Sequence, residues 1–151
     1  MAFPKGHIVL NIELSSEEVA LVRARNWAAL DQRASSWLSP GGKLWCELSK
    51  YAQFNSIEHI LALRAGPDDD EGIWHDDGSR LLAFSLSLTM EHSNVIGGEI
   101  SIRPKGDDQG HTLPCQPLGT LVIFNTGQGG FEHRISAVTA GERLVLAGWC
   151  T

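Results

Sequence analysis

Residues 80–90 read RLLAFSLSLTM, and their alternation decides the fold. Leu82, Phe84, Leu86 and Leu88 fall on one side of an extended chain, and Ala83, Ser85, Ser87 and Thr89 on the other. That pattern predicts a strand with one face in a core. Working outward, IEHILALRAG (57–66), EISIR (99–103), LGTLVIFN (118–125), FEHRISAVT (131–139) and RLVLAGW (143–149) read as further strands. IWHDD (73–77) and HTLPC (111–115) read as short ones. Gly, Asp and Pro turns separate them, and no helical pattern intervenes. From Ile57 onward the expectation is about eight short strands in a jelly roll, not alternating βα units.

The first 55 residues differ. Ser15 followed by Glu18 forms a capping box, and 15–35 reads as one amphipathic helix with Val19, Val22, Trp27 and Leu30 at helical spacing. HIVLNIE (7–13) reads as a strand, and KLWCELSKYAQF (43–54) as a strand running into an irregular piece. The expected fold is mostly β, a double-stranded jelly roll at 56–151 braced by a helical region at 1–55, in one domain spanning 1–151.

Composition narrows the function classes. Twelve Lys/Arg against eighteen Asp/Glu give a net charge of −6 over 151 residues. No stretch is dense in Lys/Arg, so nucleic acid and anionic membrane are not expected partners. The apolar runs are too short for a membrane span, and MAFPKGHIVLNIE carries no secretory-signal pattern. Cys46, Cys115 and Cys150 are an odd, dispersed set that suits a reducing cytoplasm. No nucleophile elbow, phosphate-cradling loop or CxxC pair is present.

The sharpest local arrangement is His75-Asp76-Asp77. Residues i and i+2 of a strand share a side, so His75 and Asp77 can address one point while Asp76 faces away. A second imidazole would complete a two-histidine, one-carboxylate face, and His133, 58 residues on, is the best candidate. The ordinary alternatives are a chance His-x-Asp beside the acidic loop Asp68–Glu71, read as solvated, and a surface histidine at 133. Arg143 strengthens the pair. It begins an apolar strand, where a buried guanidinium calls for an anion, either a ligand carboxylate or Glu99 or Glu132. Arg80 is expected to pair with Asp76 or the 68–71 run, His92 to face solvent, and Trp74 to pack away from His75.

In order and spacing, His75-x-Asp77, His133 and Arg143 resemble the Fe(II)/2-oxoglutarate-dependent dioxygenases, most of all their prolyl-hydroxylase-like branch. So do Gly97-Gly98-Glu99, the Pro-x-Gly-x-Leu-Val-x-Phe run at Pro117–Phe124, Val138, Gly141 and Trp149. The resemblance spans Ile57 to Trp149. It implies that His75, Asp77 and His133 hold Fe(II), that 2-oxoglutarate and dioxygen are cosubstrates, and that Arg143 clamps the far carboxylate. Ser87 stands where relatives often carry a tyrosine on that carboxylate, and Thr120 or Thr139 could add a hydroxyl. Trp149 would wall the pocket. The implied reaction is hydroxylation of a C–H bond in an amino acid, a peptidyl residue such as proline, or another small molecule. A monomer or weak dimer is expected, with the substrate chosen by loops at 65–72, 91–96, 105–111 and 126–130. The competing readings are a cupin-like metal oxygenase or isomerase that ignores 2-oxoglutarate, and a non-catalytic ligand-binding jelly roll.

Overall fold

The computed structural model describes residues 3–151. Its elements in chain order are β1 (His7–Asn11), α1 (Ser16–Arg23), α2 (Trp27–Trp37), α3 (Lys43–Leu48), β2 (Ile57–Ala65), β3 (Leu82–Ser87), β4 (Ile96–Gly97), β5 (Ile100–Pro104), β6 (His111–Leu113), β7 (Thr120–Asn125), β8 (Phe131–Ile135), β9 (Val138–Ala140) and β10 (Glu142–Cys150). Five strands form an antiparallel major sheet in the order β1-β7-β3-β10-β2. A minor sheet has the order β6-β5-β8, and β4 pairs with β9. The sheets are open and no barrel closes. His75 pairs beside β8 through an isolated antiparallel bridge to His133.

The alternation of residues 82–88 sets two environments. Leu82, Phe84, Leu86 and Leu88 join Leu121, Ile123, Leu144 and Leu146 in the core beneath the helices, each at most 7% exposed. Every such buried Leu, Ile or Phe contributes roughly 1.5–3 kcal/mol. The register pairs Ala83 with Trp149 and Phe124, Ser85 with Ala147 and Val122, and Ser87 with Val145. Those residues form the opposite face, which looks across at Ile100 and Ile102 of the minor sheet.

The helical brace differs from expectation in two places. The single helix expected at 15–35 is two. The capping box of Ser15 and Glu18 starts α1 as read, but Arg25 adopts a left-handed φ of 52°, and Asn26 then caps α2 through its side chain. The strand expected at 43–54 is instead α3. Leu44 and Leu48 lie one turn apart and are fully buried, while Trp45 packs edge-on against Phe54 at 4.9 Å.

Three further expectations are corrected in the loops. The single strand read at 131–139 is broken into β8 and β9. The acidic loop causes the break: Glu71 accepts from the Ala137 N–H and Asp69 from the Val138 N–H, both at 2.8 Å. Asp69 and Glu71 are therefore docked rather than solvated, and Arg64 pairs with Asp69. Arg80 pairs with Glu58 at 3.0 Å rather than with Asp76, which Lys105 holds. His92 is exposed as expected. Trp74 points away from His75 and stacks beneath Arg103, at 3.7 Å, and Arg134, at 5.1 Å.

Candidate metal centre and anion pocket

The isolated bridge brings two distant histidines together. His75 and His133 exchange backbone hydrogen bonds of 3.0 and 2.9 Å, and their rings lie 4.4 Å apart between centroids. Asp77, two residues beyond His75, points to the same side. Its Oδ1 is 3.8 Å from His75 Nε2, and its Oδ2 is 3.6 Å from His133 Nε2. One donor atom from each of the three lies within 4.8 Å of the others.

The residues fit a divalent transition metal in more than spacing. His75 Nδ1 donates to the Ile73 carbonyl at 3.0 Å, which leaves the Nε2 lone pair directed inward. Burial pushes His133 down to about 4, with the Asp77 charge pulling it partly back, so the ring is neutral at pH 7 and able to donate a lone pair. Its Nδ1 is buried without a partner. Thr126, wholly buried, holds the carboxylate: its hydroxyl donates to Asp77 Oδ2 at 3.0 Å and accepts from the Asp77 N–H at 3.2 Å. Two imidazole nitrogens and one carboxylate oxygen on one face suit Fe(II) and leave the remaining positions open.

Arg143 lies at the opposite end of the same inner face. It is 7% exposed, and burial pushes its pKa down from the usual arginine range. Neither Glu99 nor Glu132 satisfies it. Glu132 pairs with Arg103 at 2.7 Å, and among the described residues no carboxylate bridges to Arg143. Gly98 makes room for it. A Cβ there would meet Arg143 Cδ at 2.9 Å and Val138 Cγ2 at 3.0 Å, and the φ of +65° already favours glycine. The guanidinium shares a narrow pocket with Ser85, Ser87, Thr120 and Cys115, whose free volume of about 10 Å³ is one water's worth. A wider cavity, about 530 Å³, lies elsewhere, between α1–α2 and the start of β10, and contains none of these groups.

No family model matches the sequence. Over 100 residues the chain is 31% identical to a PKHD-type hydroxylase of Picosynechococcus sp., covering 62% of this chain and 42% of that protein. The fold matches a prolyl-4-hydroxylase of Pseudomonas putida with a TM-score of 0.65 at 20% identity, over 97% of this chain and 88% of the other. In sequence the chain is similar to PKHD-type hydroxylases, and in fold to Fe(II)/2-oxoglutarate-dependent oxygenases, the prolyl hydroxylases among them. Another neighbour, an oxidoreductase of the 2OG-Fe(II) oxygenase family from Burkholderia pseudomallei, matches with a TM-score of 0.69 at 13% identity, over 95% and 83% of the two chains. The chain spans less than half the length of the curated relatives it matches.

Some positions follow the sequence reading and others do not. Ser87 lines the Arg143 pocket, and its hydroxyl donates to the Gln116 carbonyl at 2.7 Å. Of the two threonines, Thr120 lines the pocket and Thr139 is exposed, reaching only the Ile96 carbonyl at 3.4 Å. Trp149 sits half-buried on the inner face, as its parity with Arg143 requires. Thr126 was missed. Its one sequence signal is a small hydroxyl closing a strong strand before a glycine-rich turn, which names no partner.

Proposed function

We propose that the chain is a non-haem Fe(II) oxygenase that couples oxidative decarboxylation of 2-oxoglutarate to hydroxylation of a C–H bond in an amino acid, a peptidyl residue such as proline, or another small molecule. In this reading residues 1–151 are one catalytic domain of the double-stranded β-helix type. The observation that carries it is the pairing of two ends on one inner face. An N,N,O donor set lies at one end, and a buried guanidinium without a carboxylate lies at the other.

His75, Asp77 and His133 would hold the iron, which when bound supplies the dioxygen chemistry. The chain's own residues do the rest. The Ile73 carbonyl fixes the His75 tautomer, and the Thr126 hydroxyl fixes the carboxylate plane of Asp77. Arg143 takes the far carboxylate of the cosubstrate through paired N–H donors, in a setting where burial strengthens the contact. Thr120 offers a hydroxyl toward the same carboxylate, while Ser87 serves as wall because its proton is committed to Gln116. Phe124, edge-on to His133 at 4.8 Å, and Trp149 give the space between the ends apolar walls.

The test is succinate release from 2-oxoglutarate by the Fe(II)-loaded chain, screened with amino acids, short peptides and small acids. The wild type produces succinate, and Asp77→Ala produces none above background. Turnover that ignores 2-oxoglutarate and survives Arg143→Ala would contradict the proposal and favour a cupin-like oxygenase.

A further inference from the structure

The space between the sheets is closed on one side and open on the other. On the closed side the edge strands β1 and β6 approach, and His7 and His111 bring their rings within 5.4 Å. On the other side the edge strand β2 faces the segment that runs into His75. The register puts Glu58 beside Trp149 and Ile60 beside Ala147 on the inner face. Across the gap, Ile73 precedes the bridge residue His75, whose ring donates to the Ile73 carbonyl. These apolar groups are uncovered: Ile60 is 50% exposed although it sits on the inward-facing row, and Ile73 is 77% exposed. The His75 side chain, 47% exposed, opens onto the same seam. The Arg64–Asp69 ion pair shuts its far end.

At the near end stands Arg80. Three residues past Asp77, its backbone N–H donates to the Asp77 carbonyl at 3.3 Å, and its guanidinium lies 5.4 Å from the Trp149 ring. Both contacts with Glu58, at 3.0 and 3.1 Å, are made by Nη2 alone. Nε is buried with no partner, and Nη1 has none among the described residues. Glu58 itself is 60% exposed, and an ion pair of that kind is weak and exchangeable. A guanidinium stacked on an aromatic wall, with an unspent face, recognises a carboxylate.

We propose that this seam is the substrate cleft and that it takes a compound with an aliphatic body and a free carboxylate. The body lies on Ile60, Ile73 and Trp149, and the carboxylate on Arg80, which displaces Glu58. Arg80 is thus a specificity-determining residue distinct from Arg143. The inference rests on the oxygenase reading and deepens it by naming the substrate's chemical class. A free acid and a peptide's C-terminus both present such a carboxylate, and the two sources are separable by chain length.

The experiment measures binding, not turnover. The anaerobic Fe(II) protein, saturated with 2-oxoglutarate, is titrated with N-acetyl-L-leucine and with N-acetyl-L-leucinamide, following tryptophan fluorescence. The acid is expected to bind about tenfold more tightly than the amide, as a charge-assisted contact requires. Arg80→Gln abolishes the difference, Arg80→Lys keeps part of it, and Glu58→Gln enlarges it. Trp149→Phe removes most of the signal. Dipeptide and tripeptide acids against their amides then tell a free acid from a C-terminus. Equal affinity for acid and amide in the wild type, including no binding of either, overturns the proposal; so does a difference that persists in Arg80→Gln or vanishes in Arg143→Ala. Should Arg80→Gln fold poorly, an unchanged ratio in Glu58→Gln counts against it in the same way. Absent succinate release would sink the oxygenase reading, whereas a lost acid–amide ratio with succinate release intact sinks only this one.

Discussion

The two ends of the space between the sheets are built in opposite ways. Arg143 sits near the start of β10, a nine-residue strand, opposite Arg64 of β2 and two residues before β10 also pairs with β3, so its position follows from strand register. The donor set is assembled from pieces that strand pairing alone does not fix. His133 belongs to the three-stranded minor sheet, His75 to one isolated bridge, and Asp77 to the turn that follows. Asp77 is held by Thr126 from a separate loop. One end is preset, and the other depends on a few contacts. The contrast teaches that the metal end is where single substitutions should do most damage.

Removing a donor tests that first. Asp77→Ala and His133→Ala should each weaken Fe(II) binding by more than ~100-fold, beyond what loss of a supporting contact does, as measured by competition with a metal chelator. At the preset end, Arg143→Ala should raise the 2-oxoglutarate concentration for half-saturation about 100-fold while leaving metal affinity nearly unchanged. If both ends respond to both substitutions, they are not separable and the contrast fails.

Acid should also distinguish the ends. His133 is held neutral, with its folded value of about 4 below the unfolded 6.5. A depressed histidine gives stability that is fully present above the unfolded value and is lost as pH falls through 6.5 toward 4. Metal-free protein should therefore lose about 3 kcal/mol across that window, read from thermal unfolding. His133→Phe should flatten that slope. Thr126→Val should weaken Fe(II) binding about tenfold through the freed Asp77 carboxylate, with 2-oxoglutarate affinity falling in step because the metal is lost. The smallest effect expected is from Thr120→Val, which should raise half-saturation by 2-oxoglutarate by roughly threefold to tenfold and leave metal binding alone.

How much of this was legible follows the same contrast. The alternation of residues 82–88 gave β3, its two faces and, by parity, the inward direction of Ser87 and Trp149. His75-x-Asp77 gave two donors by strand periodicity alone. Arg143 was legible because a cation opening an apolar strand needs an anion. What remained hidden depends on contacts distant in sequence. Nothing local in 131–139 shows that Asp69 and Glu71 will take the N–H groups of Val138 and Ala137 and cut the strand in two. Nothing in Thr126 names Asp77, 49 residues earlier. Helix α3 was missed for a different reason. Six residues are too few for periodicity to separate helix from strand, and the tertiary burial of Leu44 and Leu48 decides it.

The central claim is that one inner face holds a metal at one end and a 2-oxo acid's far carboxylate at the other. Anaerobic addition of Fe(II) and 2-oxoglutarate tests it most directly, through the weak visible charge-transfer band of a chelated 2-oxo acid. The wild type should give the band and Asp77→Ala should not. Arg143→Ala should recover it only at far higher 2-oxoglutarate. No band in the wild type at saturating 2-oxoglutarate, or one equally strong in Arg143→Ala at low concentration, would contradict the account.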